Sequence, residues 1–418
     1  MKKKFQIKTL LTGLQILFIV SEGFAGGTLT TNQLTGGINT ITTAVPFLLI
    51  TPDSRAGGMG DVGVATMPDA NSIHWNTSKL AFVEKKMGFG VSYTPWLRAL
   101  VPDINLAYLS GYYKFKKDQV FTGSLRYFSL GDITFTDIVG NTIGQFRPNE
   151  FSLDAGYARK LSDNFSAGMG ARYIYSNLTG GIDVLNAATH AGKSVAVDLS
   201  ATYRNDKVKI NGRKSTLSFG LNISNIGSKI SYSSSAKRDF IPINLRLGAA
   251  LTMNLDDYNS LAFALDINKL LVPTPPIYAT DTAGQTLVDA AGNYVVKAGK
   301  NPNRSVPAGM IGSFGDAPGG FKEELHEVNY SVGMEYWYDK QFAVRLGYFY
   351  EDKTKGNRKY FTMGAGVKYN VFSLDFAYLI PLQQRNPLQN TLRFTLLFDF
   401  DAFKGQNERP SDTDATPQ

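Results

Sequence analysis

Three histidines and no cysteine are the scarce material from which this 418-residue chain would have to build a catalytic or metal centre. His74, His190 and His326 are far apart, and none falls two or four residues from another, so neither HExxH nor a paired-imidazole site exists. His326 stands among Glu323, Glu324 and Glu327, a grouping able to hold a cation but more economically read as a solvated charged loop. The chain has no GxSxG nucleophile elbow. Gly58, Gly60 and Gly63 satisfy GxGxxG, which cradles dinucleotide phosphates when it joins a strand to a helix. No second strand of a βαβ unit follows, so these glycines read as a compact turn. Without cysteine there are no disulfides and no thiolate metal ligands. The expectation is a protein that is not an enzyme, with no catalytic, cofactor-binding or metal-binding residues.

The elements that carry these residues explain why. Segments of about ten residues alternate apolar and polar side chains, as in 165–176, where Phe165, Ala167, Met169, Ala171, Tyr173 and Tyr175 oppose Ser166, Gly168, Gly170, Arg172 and Ser176. Period two marks strands, and this alternation suits a sheet with lipid on one face and a lumen on the other. Fourteen such strands are predicted: 87–94, 104–116, 119–130, 150–161, 164–176, 193–204, 215–225, 242–253, 258–268, 328–338, 341–351, 358–369, 371–380 and 391–401. The connections alternate between long and short, with 205–214 the exception among the short ones, and polar pairs such as Ser162-Asp163 and Asp339-Lys340 serve as tight turns. The predicted fold is all-β: a 14-stranded antiparallel transmembrane β-barrel over 87–401, with short turns and both chain ends in the periplasm and long loops outside. Mean hydropathy of −0.14 leaves no helical span of about twenty apolar residues after the start of the chain. The 27 Phe, 21 Tyr and 41 Gly fit aromatic girdles and a lumen of small residues.

The chain ends carry addresses. Lys2, Lys3, Lys4 and Lys8 precede an apolar stretch from Leu10 to Val20 and small residues at Gly23, Ala25, Gly26 and Gly27, which reads as a signal peptide over 1–25. Its removal takes four Lys and one Glu, so a net charge of +8 becomes +5, too thinly spread to be a nucleic-acid footprint. Residues 402–418 have almost no apolar content and are expected to be a disordered periplasmic tail. Within the strands, Arg126, Asp154, Arg172, Asp198, Arg246, Asp266, Glu335, Arg345 and Asp375 fall on the polar face, where mixed signs predict ladders bracing the lumen.

Residues 26–86 do not alternate and are rich in Gly, Thr, Asn and Pro. They contain VPFLLITPDSRAGGMGDVGVA, from Val45 to Ala65, then PDANSIHWN, from Pro68 to Asn76. A glycine-rich segment is suited to threading between lumen side chains, and this one is expected to form a plug. The two motifs closely resemble the PorV family, outer-membrane proteins of the type IX secretion system related to the FadL-like fatty-acid channels, and the likeness covers essentially the whole chain. FadL-like proteins usually continue into Asn-Pro-Ala, where this chain has Asn76, Thr77 and Ser78. The resemblance implies a fourteen-stranded barrel with an N-terminal plug, whose motif residues here are Pro46, Phe47, Asp53, Arg55, Gly57, Gly58, Gly60, Asp61, Asn71, Trp75 and Asn76. It further implies an outer-membrane component that receives secreted cargo bearing a C-terminal signal domain from the SprA-type translocon and passes it to the PorU-type sortase. The alternative is a FadL-like channel for hydrophobic small molecules.

Loops on a rigid barrel are the natural place for recognition. The longest, 269–327, carries Tyr278, Met310, Phe314 and Phe321, and Trp96, Leu97 and Leu100 add a second apolar group on the same side. These seven residues are the candidate partner contacts, with anchoring at the level of the lipid headgroups the competing reading. The partners implied are cargo, translocon, sortase and outer-membrane lipid, with no nucleic acid.

Overall fold

A computed structural model describes residues 38–400 except 99, 102, 137, 138, 182–187, 234–237, 283, 291, 384 and 385. The predicted signal peptide 1–25, positions 26–37 of the predicted plug, residue 401 and the predicted tail 402–418 lie outside the described residues.

Fourteen strands close into one antiparallel barrel: β1 Met87–Pro95, β2 Asn105–Lys116, β3 Gln119–Ser129, β4 Asn149–Lys160, β5 Phe165–Asn177, β6 Gly192–Ile210, β7 Arg213–Gly227, β8 Asn244–Asn254, β9 Asn259–Leu270, β10 Val328–Tyr338, β11 Phe342–Tyr350, β12 Lys359–Tyr369, β13 Phe372–Pro381 and β14 Leu392–Phe400. Each strand pairs with its sequence neighbours, and β1 meets β14 in register from Met87↔Phe400 to Tyr93↔Phe394. Closure is what hydrocarbon demands, because an unpaired N–H or C=O there costs several kcal/mol and an open sheet leaves two edges of them. Among the described residues no helix is long and apolar enough to cross a membrane.

Alternation sets the two faces. On β13, Phe372, Leu374 and Phe376 are exposed outward while Ser373, Asp375 and Ala377 are buried inward. The inward charges form compact clusters. Arg345 Nε lies 2.7 Å from Glu335 and its Nη1 2.6 Å from Asp375, and Arg172 reaches Asp154 at 2.5 Å and Asp198 at 3.1 Å. Arg172 also donates to the Asn225 side chain. These are the predicted lumen ladders: Arg172 is held between carboxylates on its two flanking strands, and Arg345 joins Glu335 on the neighbouring β10 to Asp375 two strands away, across β12.

One connection differs from the sequence reading. The expected long link 205–214 is instead β6 and β7 continuing to a two-residue turn, Asn211-Gly212, with both φ values positive at 50° and 80°. Residues Asp206, Lys207 and Lys209 are exposed, so this ribbon extends into solvent, where polar side chains on both faces erase the alternation while the backbone goes on pairing. Asp339-Lys340 is likewise a turn with two positive φ values, 49° and 55°, as hairpin twist requires. Ser162-Asp163 falls inside a four-residue connection closed by Leu161 N–H donating to Phe165 O at 2.8 Å.

The short turns share one end of the barrel with the start of β1 and the end of β14. The long connections share the other, and several are folded. Between β9 and β10 lie paired strands Ile277–Tyr278 and Val296–Ala298, then helices Val306–Gly312 and Phe321–His326. Between β3 and β4, Ile133–Thr136 pairs with Thr142–Phe146.

Removing one member of an arginine cluster exposes its cost. Arg345→Met leaves Asp375 buried without its partner and is expected to destabilise the folded barrel by about 3–5 kcal/mol, read as a lowered denaturant midpoint. Adding Asp375→Leu should restore most of the loss; failure of the double variant to recover would show that the cluster contributes more than pairing.

Candidate functional site

Before β1 the chain runs the length of the lumen, and its side chains supply what the inward faces of the strands lack. It begins among the long connections. Asn39 N–H donates to Thr354 O at 2.9 Å, its side-chain amide donates to Glu323 at 2.8 Å and to Pro275 O at 3.2 Å, and Ala44 N–H donates to Phe240 O at 2.9 Å. Residue 38 and Phe400 therefore stand at opposite ends of the barrel. The expectation that both chain ends share one rim does not extend to this point of the chain, because the lumen segment spans the barrel before the wall begins.

Val45, with φ 47°, turns the chain into the 3-10 helix Pro46–Leu49. Pro46 opens this turn, and Phe47 and Leu48 enter an apolar cluster with Ile174, Phe240, Ile241 and Val272, roofed by the loops. Phe47 stacks on Phe128 with ring centres 6.2 Å apart. Beneath them Arg126 donates to Leu48 O at 2.7 Å, approaches His74 Nδ1 at 2.6 Å and lies over the Tyr108 ring. His74 thus meets an arginine inside the barrel rather than another metal-ligating side chain.

The next turns are built on carboxylates. Asp53 caps the short helix α1 (Ser54–Gly57), accepting from Ala56 N–H at 2.9 Å and from Trp75 Nε1 at 2.7 Å. Arg55 grips Glu335 of β10 through two bonds of 2.9 and 2.8 Å and reaches Asp69 at 3.0 Å. Asp61 accepts from Tyr360 at 2.5 Å and from Arg393 at 3.2 Å. Asp266 on β9 takes the N–H groups of Gly63 and Val64 at 2.7 and 2.9 Å. Asn71 accepts from Ser110, and Asn76 caps the turn Thr77–Phe82 while donating to Val64 O and Thr202 at 3.0 Å each. Trp75, on α2 (Ser72–Trp75), lies under the Arg246 guanidinium at 4.9 Å.

Glycine is required where backbone meets backbone. Gly60 has φ +72°, and a Cβ there would come 2.6 Å from Tyr348 N. A Cβ on Gly347 of β11 would strike the Met59 and Gly60 backbone. Gly58 faces the Gly364 backbone in the same way, whereas Gly57 makes room for the Arg393 side chain. The eleven motif residues therefore lie along one path, and all but the exposed Pro46 meet the wall or another part of the segment. Sequence reading missed the partners Arg393, Tyr360, Thr202 and Thr395. Their alternation marked them as inward, but nothing local marked which plug residue each would meet. Toward the short-turn end a cavity of about 330 Å³ remains, lined by Arg55, Asp69, Asn254, Trp337, Lys368 and Asp399.

The seven candidate partner contacts separate. Trp96 and Leu97 pack against Phe349, Tyr360 and Leu388, and Met310 packs against the apolar cluster under the loops, so these three serve the rim's own core. Leu100 is exposed. Tyr278 meets Tyr294 with the rings tilted by 57° and their centres 5.3 Å apart, at the base of a folded arm. Phe314 and Phe321 are exposed elsewhere, beside the outer wall. The arm over 277–298 is built from a repeat unnoticed in the sequence. Asp281 accepts from Gln285 N–H and Asp289 from Asn293 N–H, both at 2.8 Å, and backbone bonds tie Ala279 to Val295, Leu287 to Ala279 and Val295 to Leu287. It displays Leu287, Val288 and Tyr294. His190 lies in the loop after β5, and His326 Nδ1 is 3.7 Å from Asp352; among the described residues no group of three His, Asp or Glu is arranged to hold a metal.

The family model described as "Type IX secretion system protein PorV" matches residues 33–277, more than half of the chain. No curated protein sequence matches it. Among solved structures, the Pseudomonas putida toluene transporter TodX is 12% identical, with 82% of this chain and 96% of that one covered at a TM-score of 0.46. The Ralstonia pickettii toluene transporter TbuX is also 12% identical, covering 84% and 98% at 0.43. A Pseudomonas aeruginosa FadL homologue is 13% identical, covering 87% and 100% at 0.43.

Two outcomes check the seating of the lumen segment. Gly347→Val should fold to a heat-modifiable barrel yet raise ion conductance across planar bilayers, because the 59–60 backbone must move; unchanged conductance would mean the segment does not seal at this point. At the loop end, burial raises the Glu323 pKa, but the bonds from Lys355 and Asn39 outweigh it and the net shift is downward from 4.5. A depressed carboxylate stabilises fully above its unfolded value and loses that contribution as pH falls through the folded one. A spin label at Ile38→Cys should therefore stay ordered above pH 4.5 and loosen below it, and Glu323→Gln should weaken this dependence, leaving the share of Asp352, whose pKa burial raises but the bonds from Thr354 bring below its usual value.

Proposed function

The chain belongs to the PorV family of type IX secretion system proteins, an outer-membrane component of that pathway, and from this we propose that it is a non-enzymatic carrier that takes exported cargo at its loop rim. Cargo bearing a C-terminal signal domain arrives from the translocon and leaves to the surface sortase, so the covalent chemistry belongs to the partner. In this reading residues 1–25 are the export signal, 26–86 the plug, 87–401 the barrel and 402–418 a periplasmic tail. The short-turn end and Phe400 face the periplasm, the loops and residue 38 the cell exterior.

The observation that carries the reading is the contrast between the two parts of the molecule. Apart from the cavity at the short-turn end, the lumen is occupied by a segment bonded to strands around the wall, including β2, β6, β9, β10, β12 and β14, while the opposite investment of sequence is in long, folded loops at one end. A rigid base with ordered, apolar-tipped loops is suited to protein recognition. The channel alternative needs apolar space at the loop end, and Phe47, Leu48 and Phe240 occupy the apolar cluster there. The docking surface we favour is the 277–298 arm together with Leu100.

Ile277 pairs with Ala298, so the arm can be cut back without opening the loop beneath it. Replacing 279–297 by a short Gly-Ser turn should keep the barrel heat-modifiable and cut cargo co-purification by about tenfold or more, the scale of a lost hot spot. Retained cargo would move the docking surface elsewhere.

A further inference from the structure

The two helices that follow the arm, Val306–Gly312 (α3) and Phe321–His326 (α4), are polarised the wrong way round for a loop in water. On α4 the carboxylates turn inward. Glu324 is buried, accepting from Asp316 and Ala317 N–H groups at 2.7 and 2.8 Å and from Lys269 at 3.0 Å. Glu323 accepts from Lys355 at 2.6 Å and from Gly319 N–H at 2.7 Å, and Glu327, just past the helix, bonds Lys269, Lys355 and Thr274. The apolar side chains turn outward: Phe321 is 77% exposed, Leu325 50%, Ile311 on α3 78%, and Phe314 between them 56%.

The face these side chains make is continuous with the wall. A groove of about 240 Å³ is lined by Leu245, Leu247, Ile267, Phe314, Phe321 and Leu325. Leu247 and Ile267 are register partners whose strand neighbours Arg246 and Asp266 are buried in the lumen, so both point to the outside of the barrel. Below them in the same outward row stand the exposed Leu265 and Phe263 of β9, whose surroundings in an outer-membrane barrel are acyl chains. Lys322, exposed beside Phe321 and Leu325, adds a cation suited to lipid phosphate.

We propose that α3, α4 and the turn between them form a membrane-surface anchor, lying in the interfacial layer of the leaflet at the loop end, with an acyl chain of a membrane lipid in the groove. The charges are satisfied internally and the apolar groups project, an arrangement that lipid stabilises and water opposes. The anchor fixes how far the rim stands from the bilayer. It rests on the barrel spanning the membrane and not on the cargo-carrier reading, so the arm deletion and the test below can fail separately.

The chain has no cysteine, so single-cysteine labelling needs no background substitutions. Phe321→Cys and Leu325→Cys would carry a fluorophore in full-length protein reconstituted into phosphatidylethanolamine and phosphatidylglycerol vesicles, beside Leu265→Cys on the wall and Tyr294→Cys on the arm. Heat-modifiable mobility certifies each barrel. Phospholipid carrying a nitroxide near its headgroup should quench labels at 321 and 325 several-fold more than at 294, and aqueous iodide several-fold less. If both labels match Tyr294→Cys in the two quenchers, the face is open to water in the isolated protein, a protein partner becomes its occupant, and the anchor is overturned.

Discussion

Everything in this molecule follows from the requirement that no backbone donor or acceptor be left unpaired in hydrocarbon. A closed sheet meets it, yet closure creates a second demand. Fourteen strands enclose an interior too wide for their own short side chains to fill, and their inward charges sit where water is scarce. The glycine-rich lumen segment answers that demand from within. Its backbone lies against Gly347 and Gly364, and its side chains complete the partial pairings of the wall, as Arg55 does for Glu335 and Asp61 for Arg393. The wall and its filling are thus one electrostatic structure, and buried charges that would otherwise destabilise the sheet are held in register with a particular peptide.

The same logic explains the division of labour at the loop end. Phe47 and Leu48 make an apolar floor beneath the loops, and Trp96, Leu97 and Met310 pack into the rim instead of projecting from it. What remains outward is sorted by direction: the arm with Leu287 and Tyr294, and the wall-hugging helices with Phe321 and Leu325. An apolar residue in a loop is therefore no guide to recognition until its neighbours are known.

Most of the wall was legible in the amino-acid sequence because period-two alternation reports directly what covers each face of a strand. Strand ends such as Val328–Tyr338 coincide with their prediction, and most others lie within two residues. The signal vanished at Asn205–Ile210, where a paired ribbon extends into water. It was also silent on the partners of the plug. That Asp266 receives the N–H groups of Gly63 and Val64, or that Thr202 receives Asn76, depends on how a non-repeating segment lies inside a cylinder, and no local pattern encodes it. The course of that segment from the loop end was hidden for the same reason, whereas its composition disclosed that it would lie close to backbone.

The seam between β1 and β14 has a kinetic meaning. Met87 and Phe400 stand at the two ends of the barrel sequence, so the final ladder joins the most distant residues in the wall, and loop-closure entropy makes such pairing slow. Without that ladder the fourteen strands would be a sheet with two free edges and a polar trough. The segment that fills the trough is synthesised before any strand, and it bonds to β14 itself through Ser54 and Thr395. The closed seam and the filled interior are therefore joined directly, by a bond between the earliest-made part of the described chain and the last strand of the wall.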